Sequence, residues 1–320
     1  HKQKVIEFLQ DKFQEDVDYI FVTIGLGGGT GSGGIISLIE YLKVFNLPIG
    51  VITTLPMESE GSTTKNNAVV ALNDLTYLAK DKVISSLIVI DNAKIETILS
   101  TVPTAKLFDI ANKQIVETFL MFNELTTHST KYVSFDQMDL AKILSTGNCT
   151  FYGQMDVTNF QEQTAIAEAI VNNLNKNLLA EGVDLKEAVC ASILLVTSEK
   201  ILNELPAVHL NYAFQVLNEM VGSAEVFRGV YSVDDEIYID KIGVFVIFSG
   251  LGLPRSRVDA LVSESQQQMA EVEQKKLEDG KMDIFSKPEP TTTGKELYEQ
   301  IKNRSDSFSK MKGKIPRSRG

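Results

Sequence analysis

Residues 25–34 read Gly-Leu-Gly-Gly-Gly-Thr-Gly-Ser-Gly-Gly, seven glycines in ten positions. Without a Cβ, glycine lets the backbone take positive φ and approach a ligand closely. A helix starting here would offer unpaired N–H groups and the positive end of its dipole, with hydroxyl donors from Thr30 and Ser32. Such a combination cradles phosphate. Ordering so many glycines costs chain entropy, which argues against a plain turn. Two common phosphate motifs fit poorly. A Walker A loop needs Gly-Lys-Ser/Thr, and the stretch has no lysine. A dinucleotide fingerprint can be laid on Gly29, Gly31 and Gly34, but the next strand ends in Thr53-Thr54-Leu55 where that motif wants an acid.

The elements around the loop fit that chemistry. Tyr19 to Ile24 is a continuous apolar, β-branched run, the pattern of a strand buried on both faces. An amphipathic helix is expected before it, over 4–15, and another after the glycines, over 33–45. Strands follow at Ile49–Thr54 and Leu87–Ile90, with a helix over 63–80 between them. This alternation predicts an α/β fold with a parallel sheet covered on both sides. A long helical pattern over 106–126 forms a spine to a second α/β region. Its strands are expected at Thr150–Gly153, Val189–Thr197, Ala224–Val233 and Ile242–Ser249, with helices over 137–146, 160–179 and 205–221. Residues 254–278 read as a polar helix lying along the surface. After Gly280, Pro288, Pro290 and Thr291–Gly294 make a linker.

Within the loop, Gly27-Gly28-Gly29-Thr30-Gly31-Ser32-Gly33 is similar to the phosphate-loop signature of the tubulin/FtsZ superfamily. The resemblance extends over about 4–278. It implies a Rossmann-like GTPase domain joined by a central helix to a smaller α/β domain, and binding of GTP or GDP with Mg²⁺. It implies further that Gly27, Gly28, Gly29, Thr30, Gly31 and Ser32 hold the phosphates. The segment Leu55-Pro56-Met57-Glu58-Ser59-Glu60-Gly61 resembles the next family loop, in which Glu60 takes the ribose-contacting position. Thr64, with Lys65 beside it, stands where the family often has Arg. Asn92 matches the Asn that reads guanine, since an amide both donates and accepts. At the start of the long helix, Phe108 matches the aromatic that stacks on the base. Asn112, four residues on and so on the same face, matches a second reader.

Ser134-Phe135-Asp136-Gln137-Met138-Asp139 resembles the family's catalytic loop, with Ser134 in place of an Asn. Asp136 and Asp139 match its two carboxylates, which serve the nucleotide of the next subunit. A carboxylate can hold and polarise an attacking water. The same two residues also suit an N-cap and its N3 acid, and the two roles are compatible.

The resemblance divides the chain into a nucleotide-binding domain over 1–106, a central helix over 107–130, a second (activation) domain over 131–253, a C-terminal helix over 254–279 and a flexible tail over 280–320. It also implies further strands and loops before residue 4, which would complete the phosphate site. Within the superfamily the chain looks most like the TubZ branch of plasmid- and phage-partitioning tubulins. Ser249-Gly250-Leu251-Gly252-Leu253-Pro254 leads straight into a long helix, and the end is basic. That branch implies head-to-tail filaments of the protein itself, and a DNA-bound adaptor on the basic tail. The other readings are an FtsZ-like division GTPase, a dinucleotide-dependent enzyme and a nucleotide-free structural protein.

Net charge sets limits on partners. The chain carries −11, yet Lys295 to Gly320 holds eight Lys/Arg against three Asp/Glu, a local +5. An acidic body disfavours direct nucleic-acid binding, and the few tail charges would lose hold quickly with salt. His1, His128 and His209 are scattered, so no metal site is expected on the protein alone. Cys149 and Cys190 lie in apolar runs and read as buried free thiols, which suits the cytoplasm. No apolar run reaches membrane-spanning length, and no membrane partner is expected.

Overall fold

In the computed structural model, which describes residues 2–12 and 17–278, seven strands form one sheet. They are β1 (Ile20–Gly25), β2 (Ile49–Leu55), β3 (Ser86–Asp91), β4 (Cys149–Val157), β5 (Cys190–Thr197), β6 (Glu225–Ser232) and β7 (Ile242–Leu251). Their order across the sheet is β1-β2-β3-β4-β7-β5-β6. β1, β2 and β3 pair in parallel, and β3 meets β4 through one register pair, Leu87 with Cys149. β7 runs antiparallel to both β4 and β5, and β5 and β6 are parallel. The sheet is thus mostly parallel with one reversed strand.

The described helices are α1 (Lys2–Lys12), α2 (Gly29–Leu42), α3 (Ser62–Lys80), α4 (Asn92–Ile98), α5 (Leu107–Leu125), α6 (Gln137–Leu144), α7 (Ala165–Lys176), α8 (Glu199–Glu204), α9 (Ala207–Val221) and α10 (Arg255–Glu278). Residues 1–265 make one unit and residues 266–320 a second. The expected flexible tail, 280–320, lies outside the described residues, as do residues 13–16.

Every residue of β3, β5 and β7 is buried, as the unbroken apolar runs require of strands covered on both faces. Each large aliphatic side chain so buried contributes roughly 1.5–3 kcal/mol. α5 turns Leu107, Ala111, Ile115, Phe122 and Leu125 inward. Both cysteines are free and buried, and burial pushes the Cys149 thiol up to about 12, so it stays protonated. Among the described residues no helix is long and apolar enough to cross a membrane.

The structure corrects the sequence expectations at three places that matter for the site. α2 begins at Gly29 rather than 33, so the glycine stretch supplies the first helical turn. The helix expected over 160–179 starts at Ala165 and stops at Lys176. Asn177 ends it by accepting the Leu179 N–H at 2.9 Å, and Leu179 then bridges to Ile90 on β3. Finally, α10 does not merely lie on the surface. Arg257, Leu261 and Ser265, spaced one turn apart, are all buried.

Candidate functional site

The glycine loop has a tight half and an open half. β1 hands over to the loop through the Leu26 N–H, which donates to the Thr54 carbonyl at 3.0 Å. Gly27 sits at φ +104, and a Cβ there would lie 2.4 Å from Thr64 Cγ2. A Cβ on Gly31 would lie 2.1 Å from the Gly25 carbonyl oxygen. Only glycine lets α2 start this close to the strand it follows. Ser32 Oγ accepts the Gly27 N–H at 2.8 Å and keeps its own proton for another acceptor. Asn67, from α3, donates to the Gly27 carbonyl at 3.3 Å.

By contrast, Cβ atoms added at Gly28, Gly29, Gly33 or Gly34 would meet nothing within 4 Å. Gly28 is the N-cap of α2 and brings no side chain to close it. The first helical hydrogen bond, Ser32 N–H to the Gly28 carbonyl, leaves the N–H groups of Gly29, Thr30 and Gly31 without an intrahelical acceptor. They stand at the positive end of a 14-residue helix. The donors and the room both fit phosphate oxygens.

Glu60 and Asn92 follow the C-terminal ends of β2 and β3, which lie beside β1 and face the same way. In a parallel α/β sheet this edge is where ligands bind. Glu60 is half-buried and accepts the Met57 N–H at 2.9 Å, which braces its own loop. Asn92 is half-buried and opens α4. The cap of α4 is Asp91, whose Oδ1 accepts the Ala93 N–H at 3.1 Å. Phe108 is 39% exposed and Asn112 is also exposed, both on the outer face of α5. Phe108 is therefore not the core residue that its type alone would favour. Lys65 is turned away from the glycine loop and is 1% exposed, with its Nζ 2.9 Å from Glu264 Oε2 and 2.6 Å from the Glu58 carbonyl.

Asp136 and Asp139 lie elsewhere. Asp136 caps α6, accepting from Met138 N–H and Asp139 N–H, while Asp139 accepts the Asp136 N–H at 3.1 Å. Tyr231, on β6, grips the preceding residue: its Oη accepts the Phe135 N–H at 2.8 Å and donates to the Phe135 carbonyl at 2.9 Å. Burial raises the Tyr231 pKa, and the nearby Asp139 and Asp136 charges add to the shift. The far end of α6 rests at the starting edge of β1 and β3. There Tyr19 Oη donates to the Leu144 carbonyl at 2.8 Å, and Gly147 N–H donates to the Ser85 carbonyl at 2.9 Å. The eight residues of α6 span about 12 Å. That falls short of the opposite edge, since six strand residues rise about 20 Å. Asp136, at most about 12 Å from that starting edge, therefore stops short of the glycine loop at the far end of β1.

Sequence reasoning missed Arg257 and Lys94. Arg257 is buried beside Asp91, with Nε 3.0 Å from Oδ1 and 2.9 Å from Oδ2. Burial raises the Asp91 pKa, and the Arg257 guanidinium pulls it back. Lys94 Nζ reaches Glu181 at 2.8 Å and the Leu179 carbonyl at 3.2 Å. The run of residue types after β3 could have hinted at Lys94, but nothing local hinted at Arg257.

Comparison with known proteins meets this geometry at the glycine loop. Residues 2–100 match the Tubulin/FtsZ family, GTPase domain. The likeness of the chain to the tubulin/FtsZ family rests on this segment. It is 26% identical over 287 residues to the tubulin-like protein TubZ of Bacillus cereus, covering 82% of this chain and 63% of that protein. It is 27% identical over 170 residues to cell division protein FtsZ 1 of Methanocaldococcus jannaschii, covering 53% of this chain and 44% of that one. The crystal structure of GDP-form protofilaments of Bacillus thuringiensis serovar israelensis TubZ aligns with TM-score 0.78 at 20% identity, over 89% of this chain and 79% of that one. The chain thus spans less than two thirds of the TubZ protein it matches in sequence, and it shares the TubZ fold.

Proposed function

We propose that this tubulin/FtsZ-family chain binds and hydrolyses GTP and assembles head to tail into cytoplasmic filaments. The observation that carries this is the separation of the two half-sites. Gly27 to Ser32 and the ends of β2 and β3 offer donors at one edge, and Asp136 with Asp139 offers carboxylates away from it. In this reading a neighbour stacked on the molecule closes that gap. Such heterologous contacts repeat without closing.

In this proposal residues 1–106 form the nucleotide-binding domain, 107–130 the central helix and 131–253 the activation domain. The open N–H groups of Gly29, Thr30 and Gly31, with the Ser32 hydroxyl, hold the phosphates. Glu60 contacts the ribose. Phe108 stacks on guanine, and Asn92 and Asn112 read its edge. Mg²⁺ would add charge neutralisation on the phosphates, which usually carry it. Among the described residues there is no group of three or more His, Cys, Asp or Glu that could hold a metal unaided. In the assembled pair, Asp136 and Asp139 of one subunit orient and polarise the attacking water at its neighbour's γ-phosphate. The capping box holds both carboxylates in place and leaves Asp136 exposed to meet a partner.

Asp139→Ala tests this directly. The full-length variant should sediment as polymer with GTP but release phosphate about a hundredfold more slowly. Wild-type turnover in the polymer would remove Asp139 from the mechanism. For the biological role we propose plasmid or phage DNA segregation through a DNA-bound adaptor on the basic tail, in line with the TubZ similarity. The match to FtsZ 1 favours cell division as a second reading. Capture by a peptide of residues 295–320 separates them: a DNA-bound adaptor supports segregation, and a membrane tether supports division.

A further inference from the structure

A chain of alternating charges, buried except for the half-buried Glu264, runs from α10 into the candidate nucleotide edge. Arg257 is its hub. Besides its contacts to Asp91, its Nη1 lies 2.9 Å from Glu264 Oε1, and its Nη2 donates to the Pro56 carbonyl at 3.1 Å. Glu264 in turn pairs with Lys65, and Lys65 holds the Glu58 carbonyl. Ser265 Oγ donates to the Ser62 carbonyl at 3.1 Å, at the start of α3. Asp91 and Leu55 are register partners at the adjoining ends of β3 and β2. One guanidinium therefore grips two neighbouring strand ends, where β2 turns into the 56–61 loop and β3 passes into α4. The residue after Asp91 is Asn92, and Glu60 lies between Glu58 and Ser62.

Two cations and two anions balance: Arg257 and Lys65 against Asp91 and Glu264. Removing Arg257 or Lys65 strands a charge in this largely buried set, which is costly. The first turns of α10 cannot leave without uncovering Asp91 and Lys65. Conversely, the 56–61 loop and the start of α4 cannot shift without straining the grip on α10. The planar guanidinium fixes direction as well as charge, which a lysine would not.

We propose that Arg257 is a positioning residue that sets the start of α4 with Asn92 and the loop with Glu60, so that guanine-nucleotide occupancy and docking of the first turns of α10 stabilise each other. This rests on the nucleotide reading above. If nucleotide orders the segments that Arg257 holds, it must tighten α10 residues 257–265. By linkage, docked α10 must tighten guanine recognition by the same factor. A plain structural anchor would change stability alone.

The test compares GTP with inosine triphosphate, which lacks the guanine 2-amino group, by displacement titration on the full-length protein. Amide hydrogen exchange over 257–265 is followed with and without GTP. The main variant is Arg257→Met combined with Asp91→Asn, which removes the ion pair without stranding a charge and keeps a capping side chain on α4. Arg257→Lys is the conservative companion, and Asn92→Ala is the control for the reading itself. The double variant should still bind GTP, but its preference over inosine triphosphate should fall about tenfold and GTP should no longer protect 257–265. Arg257→Lys should restore part of both. If wild type shows no preference, or Asn92→Ala leaves it intact, the guanine reading fails and this inference falls with it. If wild type and Asn92→Ala behave as expected while the folded double variant keeps both the preference and the protection, Arg257 is only an anchor and the inference alone is overturned.

Discussion

The two half-sites solve opposite problems. At the glycine loop, backbone donors are held open: Gly28 brings no cap to α2, and the space beside Gly28, Gly29, Gly33 and Gly34 is empty. At Asp136 and Asp139 the acceptors are already engaged, each by the other's backbone, and Tyr231 clamps the residue before them. Unpaired donors at a helix start stand ready for an anion. Carboxylates fixed in a capping box need no ligand to be ordered, and arrive at an interface with their positions set. The difference explains why one half-site was legible as chemistry in the sequence, whereas the other is equally legible as a helix cap.

The largest effect should come from the tight half of the loop. Gly31→Ala would put a methyl group 2.1 Å from the Gly25 carbonyl oxygen, and backbone cannot yield as a side-chain tip can. We expect a stability loss of about 2–3 kcal/mol in denaturant titration, with guanine-nucleotide binding lost as the start of α2 moves off β1. Retained stability would mean the close approach of α2 to β1 is not required. Next comes Asp136, where cap and catalyst can be separated. Asp136→Asn keeps a good N-cap, so stability should hold within a few tenths of a kcal/mol, whereas Asp136→Ala should cost about 1 kcal/mol. GTP turnover in the polymer should fall about a hundredfold in both. Full turnover in Asp136→Asn would leave that residue a cap and nothing more.

Legibility tracked how local each determinant is. Ser86–Asp91 was readable because burial on both faces demands an unbroken apolar run, whereas the run at Ile20–Gly25 gave the strand but not its burial, since only Ile20 and Val22 are buried there. The start of α2 was misplaced by four residues because glycine is a poor helix former, and here packing on Gly25 overrides that propensity. α4 was missed for a different reason: seven residues carry too little periodicity to separate a helix from a strand-end loop. Asn177 ended α7 early because its side chain bonds its own backbone two residues on and frees 178–180 to pair beside β3. Arg257 left no local trace. One arginine in a polar helix looks solvated until β2 and β3 bring Pro56 and Asp91 beneath it. In the candidate site, residue types at the loops were readable, but the service of Asp136 and Asp139 to another subunit came only with the family resemblance, because no local pattern carries it.

The smallest change probes the open half, and its value lies in its signs. Gly29 opens α2 and is not among the positive-φ glycines, so alanine can adopt its conformation without strain. Nothing lies within 4 Å of the added methyl. Gly29→Ala should therefore stabilise the nucleotide-free protein by about 0.5 kcal/mol, through the entropy of the unfolded chain. If phosphate sits on this turn, the same methyl intrudes on the cradle and guanine-nucleotide affinity must fall. Opposite signs in melting and in titration are the signature of a glycine kept for a ligand rather than for the fold. A rise in both would move the phosphate away from Gly29, and would leave the contrast between the open and the closed half-site without its chemical cause.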